Sequence, residues 1–285
     1  MRTYFKESRG ISLIELMVAL VISAILIAAL YRTFIGQQKT YTVQEQVVDM
    51  QQSARFAINK MIKEIRMGGF GSVGYILPSA TFGSKTLNNA FSANNPTTGA
   101  LTVIAGVGEV TLTGTPATNQ ITVSSLTDSQ GNTLFDTGNR RYISVGGVES
   151  CAITSINVGT KTLNLNGPLK FTHIYGNPDP LKNAKVFPLR AISFQRDTGA
   201  NTLTRDENLG AGPEVLADNI SALQFTYLDS SGNSIANPVA NAASIRVVNV
   251  TVTARTERQD PDYKSGSGYR TRTITSNIQV RNMGI

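Results

Sequence analysis

Residues 11–30, ISLIELMVALVISAILIAAL, are apolar at seventeen of twenty positions, with Ser12, Glu15 and Ser23 the exceptions. At about 1.5 Å per residue, a helix of this length spans the roughly 30 Å hydrocarbon core of a bilayer. An isolated carboxylate costs about 2.5–3.5 kcal/mol at mid-membrane and less near an end. A plain anchor gains nothing from Glu15, so the carboxylate is expected to meet a partner. Ahead of the run, the leader MRTYFKESRG sets Arg2, Lys6 and Arg9 against Glu7. Positive charge on that side holds the leader in the cytoplasm and sends the rest of the chain outward. A secretory signal carries its cleavage site after the apolar segment, at small residues. Here the short basic leader, ending in the small residue Gly10, comes before the run.

The helix is expected to continue past Leu30. Val47, Met50, Ala54, Ala57, Ile58, Met61 and Ile65 recur at spacings of three and four and make one apolar stripe. Arg55, Lys60, Lys63, Glu64 and Arg66 fall largely off it. No proline occurs before Pro78, and the GGFG run at 68–71 supplies a C-terminal stop. One continuous helix over 11–67 would be roughly 85 Å long. Its first half is apolar all round, and 11–30 is the membrane or filament-core segment. Its second half is amphipathic and should lie against a globular domain through Val47, Met50, Ala54, Ile58, Met61 and Ile65. Gly36 is the one weak point, where unwinding costs least.

Residues 68–101 are rich in Gly, Ser, Asn and Thr and read as a long connection or a peripheral subdomain of short strands. From Leu101 on the pattern turns to β. Runs such as LTVIA, QITVSS, RYISV, CAITSINV, KTLNL, KVFPLRAISFQ, NTLTR and ISALQFTYL alternate with turns, among them Ser-Gln-Gly-Asn at 129–132 and Asp-Thr-Gly-Ala at 197–200. Val248, Val250, Val252 and Ala254 alternate with Asn249, Thr251, Thr253 and Arg255, marking one buried face. Ile274, Ile278 and Val280 do the same in the last strand. Between them, ERQDPDYKSGSG reads as an exposed loop. The strands have no helices between them, so an antiparallel sheet is expected. The fold class is α+β: a leader (1–10), a long N-terminal helix (11–67) and a β-rich globular region (68–285). Roughly 215 residues outside the helix suffice for one or two modest domains with a real core.

The net charge is +7, and loss of three positive charges and one negative with the leader leaves +5. That mild charge, spread along the chain, reads as solvated surface, and no nucleic-acid partner is expected. Cys151 is the only cysteine, which excludes an intramolecular disulfide, and its strand-like setting makes it a small core residue. His173 is the only histidine, which removes any histidine cluster for a metal and weakens any Ser-His-Asp site; the nearby YGNPDP reads as a turn. Asp260 and Asp262 form a DxD pair, a poor calcium ligand set without further oxygens, and read as solvated. Gly69, Gly71 and Gly74 match GxGxxG, but they follow a helix instead of a strand, and no acid lies between Glu64 and Glu109 to hold a ribose. That motif is a helix stop. No carboxylate pair stands out as an acid/base couple, so neither catalysis nor a cofactor is expected.

The glycine-ended basic leader, the ISLIE start and the unbroken apolar run resemble the class III signal of type IV prepilins and pseudopilins. That resemblance implies cleavage by a prepilin peptidase between Gly10 and Ile11, N-methylation of Ile11, and Glu15 as the fifth residue of the mature chain. The segment QQSARFAINKMIKEIRMGGFGSVG (51–74) is similar to a stretch of the PilW family of minor pilins, through Arg55, Phe56, Ala57, Ile65, Arg66, Met67 and Gly69. ISFQRDTGANTLTRDE, VLADNISALQFTYLDSSGN, IRVVNVTVTAR and the terminal Arg281-Asn282 fit the same family. Two departures matter. Ser72 and Val73 stand where many relatives have a cysteine, and Arg32 stands where the major pilin has its helix-breaking proline. Both favour a minor subunit.

As the resemblance implies, mature helices pack side by side in a filament, and Glu15 accepts the amine of a neighbouring Ile11. The expected partners are the prepilin peptidase, other minor and major pilins and the inner-membrane assembly platform. Contact with other subunits is expected through the apolar face of 47–65 and the adjoining sheet. The chain would lie in the inner membrane with its N-terminus cytoplasmic, then in an extracellular pilus, priming assembly or accompanying the tip. The alternatives are a tip pseudopilin of a type II secretion system and a surface adhesin whose β domain binds a ligand through an exposed aromatic or apolar patch.

Overall fold

Helix α1 runs from Leu13 to Arg66, 54 residues uninterrupted by proline. The computed structural model describes residues 11–70, 80–83, 85–93, 99–114, 116–177, 183–264 and 266–283. Two compact units result, one ending at Asp49 and one running from Met50 to Ile285. Within the second unit, Met50, Ala54, Ala57, Ile58, Met61 and Ile65 are buried, forming a one-sided stripe that packs α1 on antiparallel sheets. Val47 is half-buried.

The helix stops where side chains would no longer fit. A Cβ on Gly68 would lie 2.5 Å from Phe91 Cζ and 2.8 Å from Val103 Cγ2, and Gly69 takes a positive φ of 79°. The Gly69 N–H then donates to Ile104 O at 3.0 Å. The last helical carbonyls, which have no partner inside a helix, are met from the chain's far end. Arg281 N–H donates to Arg66 O at 3.3 Å and Asn282 Nδ2 to Met67 O at 3.4 Å.

Fifteen strands follow among the described residues: β1 (Ala80–Phe82), β2 (Lys85–Leu87), β3 (Phe91–Ala93), β4 (Ala100–Gly106), β5 (Val110–Thr111), β6 (Gln120–Thr122), β7 (Tyr142–Val145), β8 (Glu149–Asn157), β9 (Thr162–Leu165), β10 (Lys185–Asp197), β11 (Thr202–Asp206), β12 (Glu214–Ala217), β13 (Ile220–Leu228), β14 (Val247–Arg255) and β15 (Thr271–Gln279). Every pairing among them is antiparallel. The thirteen-residue β10 is the hub of the largest sheet. Its first residues pair with β5 and β7, and from Leu189 on it pairs with β4, then also with β11. Pro188 falls at that changeover, where a missing N–H costs least. A second sheet has the order β13-β14-β15, and its Val248, Val250, Val252 and Ala254 are fully buried.

One buried cation ties helix to sheet. Arg205 of β11 donates from Nε to both carboxylate oxygens of Glu64 (2.9 and 3.0 Å), from Nη1 to Glu214 Oε1 (2.8 Å) and from Nη2 to Glu207 Oε1 (2.7 Å). Glu64 therefore sits against the sheet instead of on a solvated helix face, its side chain 14% exposed and that of Arg205 8%. Burial alone would lower the guanidinium's pKa, but hydrogen bonds to Glu64 and Glu207 outweigh it and hold the value above the ordinary one.

The same five-residue turn occurs twice, as Asp128-Ser-Gln-Gly-Asn132 and Asp229-Ser-Ser-Gly-Asn233. In each, the aspartate Oδ1 accepts the N–H two and four residues on, and Oδ2 accepts the Asn side chain. Gly131 and Gly232 supply the positive φ, 84° and 81°, that the turn needs. Both carboxyls are held below the usual aspartate range, Asp128 first by the Asn132 side chain and Asp229 first by the Asn233 backbone N–H.

Two outcomes follow from these contacts. Arg205→Met leaves the largely buried Glu64 with only the exposed Lys60 ammonium, 3.3 Å from its Oε1, so denaturant unfolding of the full chain in detergent should show a loss of about 3 kcal/mol. Adding Glu64→Met should recover much of that loss, and an additive double variant would remove the ion pair as its cause. In an NMR titration Asp128 and Asp229 should titrate below the unfolded value of about 3.9. Their stabilisation is complete above that pH and is lost as pH falls through the lowered folded values. Asn132→Ala should raise the Asp128 midpoint and leave Asp229 unmoved.

Candidate functional site

From Ile11 to Asp49, every residue except the half-buried Val43, Gln46 and Val47 is exposed. Leu13 is 80% exposed and Ile25 64%, so among the described residues every side of the apolar run is uncovered. At about 1.5–3 kcal/mol per large apolar side chain, exposing this run to water costs on the order of tens of kcal/mol. The segment is long and apolar enough to cross a membrane. Its polar groups are turned inward. Ser23 Oγ donates to Ala19 O at 2.7 Å and Thr33 Oγ1 to Ala29 O at 3.0 Å, which lets both hydroxyls sit in apolar surroundings. Gly36 is helical, with Thr40 Oγ1 donating to its carbonyl at 3.0 Å.

At the start of the helix, Glu15 accepts the Ser12 N–H and the Ser12 hydroxyl, both at 2.9 Å, and Ser12 Oγ accepts the Glu15 N–H at 3.3 Å. This is a reciprocal capping box, Ser12 at the cap and Glu15 three residues on. Glu15 is thus engaged within its own chain, and an anchor does gain something from it: two N–H groups with no helical partner are satisfied. The Ser-x-x-Glu spacing before an apolar run is a readable signal for such a cap. The leader and Gly10 lie outside the described residues; Ile11 precedes the Ser12 cap, and Glu15 lies in the first turn.

Residues 5–31 match the family model described as the prokaryotic N-terminal methylation motif, which spans the Gly10–Ile11 junction and Glu15. The chain is a type IV pilin- or pseudopilin-like protein. No curated protein and no solved structure matches it. The motif implies processing by prepilin peptidase and assembly with pilins, and an inner-membrane stage before the filament. Pilin-like proteins are typically structural subunits without enzymatic activity.

In this pilin-like chain the buried stripe of α1 is covered by its own sheets, so that face is not free for other subunits. Among the described residues of that stretch, Arg55 and Phe56 (60% exposed) point away from the sheets. Asp260 is not solvated. It is buried, its Oδ2 accepts Arg270 Nε and Nη2 at 2.9 and 2.8 Å, and its Oδ1 accepts the Asp262 N–H. Gly71 and Gly74, like Ser72 and Val73, lie outside the described residues.

Cys151 is buried beside Ile143 and Ile153, and burial, reinforced by the Glu149 charge, pushes its thiol up to about 11. His173 and Glu149, both 4% exposed, meet at 2.5 Å from Nε2 to Oε1. Glu149 also accepts the Lys170 and Phe171 N–H groups at 2.8 and 3.3 Å, pinning that loop to β8. Among the described residues, no group of three or more His, Cys, Asp and Glu could hold a metal ion.

Ser12→Ala and Glu15→Ala both remove the capping box, but only the second removes a charge. Hydrogen exchange in the first turn should quicken in both, by a helix destabilisation of about 1 kcal/mol. Membrane insertion should improve in Glu15→Ala and stay unchanged in Ser12→Ala, read in a glycosylation-based insertion assay. Equal insertion of the two variants would show that the carboxylate's charge is not felt in the bilayer.

Proposed function

We propose that the chain is a minor, tip or priming subunit of a type IV pilus, made as a membrane precursor and released into filaments after cleavage between Gly10 and Ile11. The observation that carries this reading is the methylation motif on a helix whose apolar surface is exposed among the described residues. Such a helix can leave the bilayer only into an apolar environment of equal size, and a bundle of like helices provides one. There the Glu15 carboxylate would accept the methylated amine of a neighbouring Ile11. A subunit out of register leaves a buried charge unpartnered, at a cost of about 3–5 kcal/mol.

The minor role draws on bulk and on sequence. The compact unit from Met50 to Ile285 would have to be accommodated at every step of a fibre built from this chain. At a filament end it meets fewer neighbours. Arg32 in place of a helix-breaking proline, and the likeness of 51–74 to PilW minor pilins, support the same assignment. Its partners in this reading are the prepilin peptidase, other minor and major pilins and the inner-membrane assembly platform. A tip pseudopilin of a type II secretion system would use the same physics. A surface adhesin finds some support in exposed Val148, Phe171, Ile174 and Tyr175, which flank the Glu149–His173 pair.

Mass spectrometry of sheared pili tests the proposal. It should recover an N-methylated Ile11 terminus at a small fraction of the main subunit's abundance. Finding only intact Met1 chains, or finding this chain as the most abundant pilin, would overturn it. Its absence from pili together with loss of protein secretion on deletion would transfer it to the secretion system.

A further inference from the structure

Strand β15 closes one side of the sheet β13-β14-β15, and among the described residues no strand pairs with its outer edge. It pairs with β14 in an unbroken register from Val247↔Gln279 to Arg255↔Thr271. Just beyond the ladder, the Thr256 N–H donates to Arg270 O at 2.9 Å. Antiparallel alternation from that bond turns the backbone of Arg272, Ile274, Ser276 and Ile278 toward β14. Thr271, Thr273, Thr275, Asn277 and Gln279 then present their N–H and C=O groups outward. The side chains agree with this phase. Thr275 meets Thr251, and Thr273 meets Thr253, hydroxyl to hydroxyl at 3.2 and 3.0 Å, across the closely spaced, non-hydrogen-bonded pairs.

Free edges are ordinarily blunted by proline, lysine, a bulge or short length. β15 has nine residues, with no proline, no lysine and no register shift. On its inner face Ile278 is buried while Ile274 is only partly covered, so the core reaches the edge without being closed there. From Arg270 to Met283 the chain holds Arg270, Arg272 and Arg281 and no acid. Arg270 is engaged by Asp260, whereas Arg272 and Arg281 are exposed and bracket the free edge. A second copy of this strand would bring the same cations and no countercharge.

We propose that β15 accepts an extended segment of a different polypeptide as an added strand, about nine residues long, antiparallel over 271–279, with a carboxylate opposite Arg272, a second at its other end opposite Gln279 and diagonal to Arg281, and an apolar residue beside Ile274. Main-chain hydrogen bonds to the five outward residues supply the affinity, and the terminal charges supply the choice of partner. The inference does not depend on which filament the chain joins.

The test uses the full chain in detergent micelles and the synthetic nonapeptide Glu-Val-Thr-Val-Thr-Val-Thr-Glu-Thr, whose two glutamates lie on opposite faces as Arg281 and Arg272 do. Peptide binding should slow hydrogen exchange at Thr271, Thr273, Thr275, Asn277 and Gln279 and leave the four residues between them unchanged. Thr275→Pro removes an outward N–H and no backbone bond to β14, only the exposed hydroxyl contact to Thr251, so it should largely keep the melting temperature and lose the peptide. Arg272→Glu should weaken binding by roughly tenfold and favour a peptide with lysine in place of the second glutamate. No binding, protection without the alternation, or undiminished binding by Arg272→Glu would overturn the proposal. So would a dimer of the chain with the same five amides protected in the absence of peptide.

Discussion

Arg205 is the contact on which the second compact unit depends. A guanidinium almost shut from water holds Glu64 of the helix, Glu207 beside it and Glu214 of β12 at once. Removing a guanidinium from water is unfavourable unless each of its donors finds an acceptor, and here Nε, Nη1 and Nη2 all do. The result is directional in a way that the apolar stripe is not. Met50, Ala54, Ile58, Met61 and Ile65 favour burial of one helix face, but side chains of this kind tolerate a slide along the sheet. Glu64 fixes the axial position. With that position set, Gly68 can meet Phe91 and Val103, and the C-terminal segment can reach the last helical carbonyls.

What was legible in the sequence was what repeats locally. The apolar run, the three-and-four spacing of the stripe and the period-two alternation of β14 each report their own element, and the antiparallel α+β class follows from the lack of helices between strands. Contacts between distant residues leave no such trace. Glu64 and Arg205 stand 141 residues apart, and on a helical wheel Glu64 is indistinguishable from its solvated neighbours. The loop at 257–268 is polar by composition, yet Arg270 draws Asp260 inward. Glu149 follows a Gly-Gly turn and reads as surface until His173 is folded over it. The Ser12 cap is the instructive miss, because its spacing was local and readable. The cost of a charge in an apolar run drew the reading toward an external partner and away from the hydroxyl three residues earlier.

That cap bears on how Glu15 can serve both before and after assembly. Hydrogen bonds from the Ser12 N–H and hydroxyl satisfy lone pairs of the carboxylate, but they do not neutralise it. The helix N-terminus adds about half a positive charge, felt within its first turn. A carboxylate so placed is tolerable near a membrane surface, where headgroups and water are within reach. In the middle of a helix bundle the remaining charge still lacks a counterion. Cleavage before Ile11 would create a cation one residue from Ser12, and in a staggered bundle the amine of one chain can come close to the Glu15 of the next. Capping then orients the carboxylate in the membrane, and in the proposed filament the amine would supply the countercharge that capping cannot. In the proposed assembly the helix that anchors the precursor is also the one that joins the filament, and what would distinguish the two states at Glu15 is the neighbouring amine.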